Sequence, residues 1–254
     1  MKWKGDYLFV IRNLVLKDFR IRYRNMSLGV FWSLLNPLVM LGVLVFVFTR
    51  IFKNPSPVYP VFVLCGLVPF NFFSSAWISS TSCIVDNAGL IKRVPFPREI
   101  IPIATVLSTT IHLFLQIVLM LGFALAYDRP PNRYWMLLPV VWLPAIAFLC
   151  GLGLICSGLN VYMRDMRYVV ESVVTVMFYL VPIFYDFSLI PERFRTIYSL
   201  NPIAALVLAQ RAIILAAKAP PETLLWKLSL SSLGMLGLGL LVFQKLKRRF
   251  YNYL

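Results

Sequence analysis

The sequence predicts an all-α integral membrane protein with six transmembrane helices, and three observations carry the prediction. The first is the spacing of charge. No Asp, Glu, Lys or Arg occurs between Arg24 and Arg50, Lys53 and Asp86, Glu99 and Asp128, or Arg133 and Arg164, intervals of 25, 32, 28 and 30 residues. Each exceeds the roughly 20 apolar residues that cross a bilayer, where a central ionised side chain costs about 3 kcal/mol. The second is composition: 60% of the chain is hydrophobic and 14% charged, against about 25% charged in a soluble domain. The third is the placement of the net charge of +15. The basic residues sit mostly at the two ends and beside the apolar stretches, which suits anionic headgroups and gives no nucleic-acid surface.

The chain reads as one transmembrane domain over residues 1–254. Residues 1–28 form an interface segment. Within it Leu8, Ile11, Val15 and Phe19 recur at helical spacing opposite Asn13, Lys17, Arg20 and Arg24, the pattern of an amphipathic helix lying on a membrane surface. It serves either as a plain anchor or as a working element. No short apolar core with a small-residue cleavage site follows Met1, so the start does not read as a signal peptide.

Residues 29–185 hold five predicted spans: Gly29–Phe52, Tyr59–Ile84, Ile100–Ala126, Tyr134–Met163 and Tyr168–Tyr185. Between the second and third lies Asp86–Arg98. Asp86 or Asn87 is positioned to cap a short helix, which must stop near Val94 because Pro95 restricts the residue before it. That helix is either a connecting turn or a rigid lever. Residues 186–222 face the outer side. Their apolar run Thr196–Gln210, interrupted by Pro202, is too short to span and predicts re-entrant or interfacial helices. The sixth span is predicted at 223–244, with Lys227 reaching for headgroups, and residues 245–254 form a basic tail. Sixteen of the 25 Lys/Arg fall on the side that holds both termini, so the positive-inside rule makes that side cytoplasmic.

No catalytic set emerges. His112 is the sole histidine and shares its span with no acidic residue, which fits a packed histidine bonding a neighbouring helix. The sequence contains no H-E-x-x-H, no G-x-S-x-G and no G-x-x-x-x-G-K-[ST], so energy for uphill transport would have to come from a partner. Cys65, Cys83, Cys150 and Cys156 lie in apolar spans without C-x-x-C spacing and read as small apolar residues. Aromatic side chains cluster instead: Trp32, Phe70, Phe73, Trp77, Phe178 and Tyr179. They are either lipid-facing belts or the flat walls of a pathway on which sugar rings slide.

Four stretches resemble the membrane subunits of bacterial ATP-binding-cassette type-2 exporters of polysaccharides and polyol phosphates. They are LKDFRIRYRNMSLGVFWSLLNPLVM (16–40), NAGLIKRVPFPREIIPIA (87–104), LNVYMRDMRYVV (159–170) and PIFYDFSLIPERFRTIYSLNPIAAL (182–206). The resemblance implies a permease without its own ATP site or other cofactor. It would form a homodimer in the bacterial inner membrane with two copies of a separate ATPase that binds ATP and Mg. It implies that the short helix docks on that ATPase through Asp86, Asn87, Leu90, Ile91, Lys92 and Arg93. A second contact falls at Arg164, Asp165 and Arg167, and residues 186–222 act as an outer gate. The cargo implied is a lipid-linked polysaccharide of the O-antigen, capsule or teichoic acid kind. A drug, haem or small-lipid exporter, a membrane enzyme and an assembly scaffold are the alternatives. Arg20, Arg22 and Arg24 stand before the first span and either receive the cargo's diphosphate, since arginine pairs phosphate bidentately, or anchor the chain.

Overall fold

Asp6 opens the first helix by accepting from the backbone N–H groups of Leu8 and Phe9, two of the donors a helix start leaves bare. The structure, a computed structural model, describes residues 5–24, 29–52, 57–94 and 96–253. Residues 1–4 and 25–28 of the predicted interface segment, and Pro95, lie outside the described residues. Helix α1 spans Tyr7–Tyr23. It is followed by α2 (Trp32–Phe46), which continues through a wider π-helical turn over Val47–Ile51. Next come α3 (Tyr59–Asp86), α4 (Ala88–Arg93), α5 (Ile100–Ala126), α6 (Leu138–Tyr162) and α7 (Met166–Leu180). The chain ends with α8 (Glu192–Leu200), α9 (Pro202–Ile214) and α10 (Glu222–Leu246). No strand occurs among the described residues.

Five stretches are long and apolar enough to cross a membrane: Trp32–Ile51, Tyr59–Asp86, Ile100–Ala126, Arg133–Tyr162 and Glu222–Leu246. The protein is a multi-pass, all-α membrane protein, and these five match predicted spans one to four and six. The predicted fifth, Tyr168–Tyr185, is helical only as far as Leu180. Pro182 disfavours helical backbone at the residue before it, and Val181 is extended. The resulting helix of 15 residues is shorter than a standard span.

The core is arranged around α3. In its most apolar stretch 67% of residues are buried, against 17% in α2 and in α10. Helices α5 and α6 flank α3, and α10 lies along α6. A second core cluster at one end joins Leu14 of α1, Ile84 of α3, Ile91 of α4, Ile101 of α5, Phe243 of α10 and Phe250 beyond it. Helix α1 and the segment after α10 therefore gather at that end. Tyr162, at the end of α6, donates there to the Leu246 carbonyl (2.6 Å), and Lys247 pairs with Glu99 (3.1 Å).

At the opposite end, Asn132 before α6 donates to the Ile213 carbonyl of α9 (3.0 Å). Tyr59, the first residue of α3, donates to the Phe184 carbonyl (3.0 Å). The path from Tyr162 through α7 to Phe184 thus runs from one end of the bundle to the other.

Residues 192–214 form two helices broken at Asn201, as the Pro202 interruption predicts. The Asn201 side chain accepts from the Ile203 N–H (3.0 Å), with Pro202 filling the first helical position. Asn201→Ala is expected to lower stability by about 1 kcal/mol, the usual worth of such a cap, read as a reduced Tm in detergent.

Candidate functional site

The end where α1 and the segment after α10 meet carries the residues expected to contact a partner. Helix α4 follows α3 after a single joint residue, Asn87, and ends at Arg93 with Val94 extended, where the Pro95 argument placed its stop. Asn87 does not cap α4 with its side chain. Its amide donates to the Cys83 carbonyl (2.8 Å), and its oxygen accepts from Lys17 of α1. Asp86 accepts instead from Ser82 (2.7 Å). Ile91 is buried and pins α4 to the second core cluster, with Leu90 packed beside it. Asp86, Lys92 and Arg93 are exposed. In the α6–α7 turn Arg164, Asp165 and Arg167 are exposed as well, and Arg167 pairs with Glu171 (2.9 Å). Asp86 and Arg167 feel one another's charge, so the two predicted contact patches face the same end.

Helix α1 turns Ile11, Val15 and Phe19 of its predicted apolar face inward, but it is rotated part of the way past that face. Leu14 is its buried residue, while Leu8 is 77% exposed. Lys17 and Asp18 turn inward, paired at 3.2 Å, because polar groups on α3 and α5 receive them. Asn87 takes Lys17, and Thr105 donates to Asp18 (3.3 Å).

The three arginines separate. Arg20 and Arg24 are exposed, whereas Arg22, on the other side of the helix, is half-buried and donates to Ser79 (3.2 Å). Helical geometry requires this split, since alternate positions lie about 200° apart. Tyr23 meets His112 Nδ1 at 2.6 Å, and Phe19 stacks on the same ring. His112 is therefore a packed residue joining two helices, as expected.

The predicted aromatics also separate. Phe70, Phe73 and Trp77 are buried among α3, α6 and α7. Phe73 stands edge-on to Trp77 (5.3 Å), Phe70 edge-on to Phe178 (5.2 Å), and the Trp77 indole donates to Cys156 Sγ (3.1 Å). Trp32 and Tyr179 are exposed. The side of α7 turned away from the core carries Tyr168, Ser172, Thr175 and Tyr179, all exposed. The Ser172 and Thr175 hydroxyls bond back to the carbonyls of Tyr168 and Glu171 (2.9 Å each), so the helix supplies their first partner.

Sequence reasoning missed Arg211. It is 8% exposed and lies 3.5 Å above the Phe62 ring. It donates to the carbonyls of Ile183 (2.8 Å) and Tyr185 (3.5 Å). Close by, in the outer connection, Asp186 lies below its ordinary carboxylate range, chiefly because the Ser188 backbone N–H donates to it. Also missed were the small hydroxyl residues of α3 and α5 that face α1. Ser79 and Ser82 stand three apart in an apolar helix, a spacing that marks one face. Among the described residues no group of His, Cys, Asp and Glu is placed to hold a metal.

The profile of the ABC-2 type transporter family matches residues 10–215. The O-antigen export system permease protein RfbA of Klebsiella pneumoniae is 32% identical over 256 residues, covering 100% of this chain and 98% of its own. The RfbA of Myxococcus xanthus is 30% identical over 247 residues, 96% of this chain and 95% of its own. The polysialic acid transport protein KpsM of Escherichia coli is 27% identical over 239 residues, 92% of each chain.

Proposed function

We propose, because this chain belongs to the ABC-2 type transporter family, that it is the transmembrane subunit of an ATP-driven exporter. Its cargo is a lipid-linked polysaccharide of the O-antigen kind, moved outward across the bacterial inner membrane. Two copies form the translocation unit, and two separate ATPase subunits bind the ATP and Mg. The observation that carries this reading is the outward stripe of α7. Hydroxyls and tyrosine rings on a membrane helix gain little from lipid, whereas beside a second copy they line a polar path along the seam. Tyr179 and Trp32 supply flat faces along that seam, and Phe178, Phe70, Phe73 and Trp77 are the packed wall behind them.

On this reading α7 with Val181–Phe184 makes the fifth crossing and brings the total to six, which places both termini on the basic, cytoplasmic side. Helices α8 and α9 gate the outer end. ATP-driven closure of the partner pushes α4, and the buried Ile91 passes that push into the core. Leu90, Lys92 and Arg93 form the docking face together with Arg164, Asp165 and Arg167, while Asp86 faces the cleft beside α1. Arg20 and Arg24 hold α1 to anionic headgroups.

Affinity purification from the native membrane tests this. The wild-type chain is expected to retain a soluble ATPase bearing G-x-x-x-x-G-K-[ST]. Lys92→Glu with Arg93→Glu is expected to cut that recovery by about tenfold or more, since reversed charge at an interface is repulsive, while Ile91 keeps α4 folded. Undiminished recovery moves the contact off α4. A wild-type chain recovered alone removes the exporter assignment.

A further inference from the structure

Helices α1, α3 and α5 line an open cavity of about 400 Å³ at the end that carries α4. That volume lies within the range of small-molecule sites, and the wall is unusually polar for a membrane protein. The charges in it are unevenly satisfied. Lys17 is taken up by Asp18 and Asn87, and Asp18 by Lys17 and Thr105. Arg22 has no carboxylate within ion-pair distance among the described residues and spends one contact on Ser79. A guanidinium offers five donors, so most of its fork is open to the cavity. Asp86, also on the wall, accepts from the Ser82 hydroxyl and has no cation at ion-pair distance among the described residues. The cavity therefore presents one open cationic fork backed by a hydroxyl and one open carboxylate.

The ligand that answers both is a phosphate ester with hydrogen-bond donors on the group it carries. The phosphate meets Arg22 and Ser79, because arginine forks match phosphate oxygens. The donors meet Asp86. We propose that this cavity is the site for the phosphorylated, lipid-linked end of the glycan, with Asp86 accepting from hydroxyls of the first sugar. The proposal rests on the exporter reading and narrows it, because Arg22 binds while Arg20 and Arg24 do not. An ethanolamine phospholipid headgroup shares this chemistry, and the test separates the two.

The complete transporter, with its ATPase, is placed in phosphatidylcholine nanodiscs, and binding is titrated with a fluorescent polyprenyl-diphosphate monosaccharide. Arg22→Gln is expected to weaken binding by about tenfold or more, the loss of one charge-assisted contact. Arg20→Gln with Arg24→Gln is expected to leave it within about twofold. Asp86→Asn is expected to weaken this probe but not a polyprenyl diphosphate lacking the sugar. Phosphatidylethanolamine is then titrated as a competitor. If it binds through Arg22 and the sugar-bearing probe does not, the cavity is a phospholipid site and the cargo assignment is overturned. Equal binding of the sugar-bearing probe by wild type and Arg22→Gln overturns the cavity site itself. ATPase co-purification reports on the exporter reading separately from either result.

Discussion

Arg211→Met is expected to abolish export while the chain still inserts. The reason lies in the backbone between α7 and α8. A helix that ends in a buried segment, as Val181 and Ile183 are, leaves carbonyls that water cannot reach, and each must find a partner within the protein. Here side chains supply most of them. Tyr185 donates to the carbonyls of Tyr179 and Leu180 (3.2 and 2.9 Å), and Tyr59 donates to Phe184. Arg211 serves Ile183 and Tyr185. Methionine keeps the volume of the side chain but orphans two acceptors, at about 1–3 kcal/mol each, and removes a desolvated cation–π contact of about 2 kcal/mol. The sum, on the order of 5 kcal/mol, is comparable with the whole stability of many domains.

The segment cannot relax toward α3 to compensate. A Cβ at Gly66 would stand 2.7 Å from the Ile183 Cα, so the backbones are already in contact. Detergent-phase melting and thiol labelling of a Phe184→Cys reporter are the measurements. A lower Tm with faster labelling is expected for Arg211→Met. Arg211→Lys is expected to fall between, since a point charge cannot bridge two carbonyls as a fork does. Phe62→Leu should lose only the ring contact. Wild-type melting and labelling in Arg211→Met would remove the arginine from this role.

The sequence made the long spans legible because hydrocarbon forbids charge, and charge is written in the letters. The two-helix outer segment was legible for the same kind of reason: Pro202 marks a break in any context. What stayed hidden depends on direction. The amphipathic pattern of α1 has several near-equal faces, and the choice fell to Leu14 because α3 and α5 offer hydroxyl and amide partners to Lys17 and Asp18. Arg20, Arg22 and Arg24 look like one basic set in the sequence and become two on a helix. Asn87 looked like a cap and became a joint, because a lysine 70 residues away competes for its oxygen. Arg211 reads as a flanking charge, and only the backbone freed around Pro182 gives it a buried task. Ile91 sits in a motif that reads as a docking surface, yet its burial makes it the attachment of that motif to the body.

Gly239→Leu is expected to detach α10 and lower the yield of folded protein to near background. Helix α10 is among the least buried of the long helices, and its most extensive partner is α6. Their closest approach is backbone on backbone. A Cβ at Gly239 would lie 2.4 Å from the Gly151 carbonyl oxygen, and one at Gly151 would lie 2.4 Å from the Met235 carbonyl oxygen. No side chain can rotate aside there, so any substituent forces the helix axes apart. Between apolar helices in lipid the attraction is mainly close packing, and separating the axes by even about 1 Å forfeits a quarter to a half of each contact's well. The same helix supplies its own control. Gly237 has nothing within 4 Å of its added Cβ, and Gly237→Ala is expected to be neutral or to stabilise by up to about 1 kcal/mol through helix propensity. Solubilised yield and Tm compare the two variants directly. A Gly239→Leu protein that melts like Gly237→Ala would mean that α10 is held by its C-terminal end, through Phe243 and Phe250, and not by the glycine crossing.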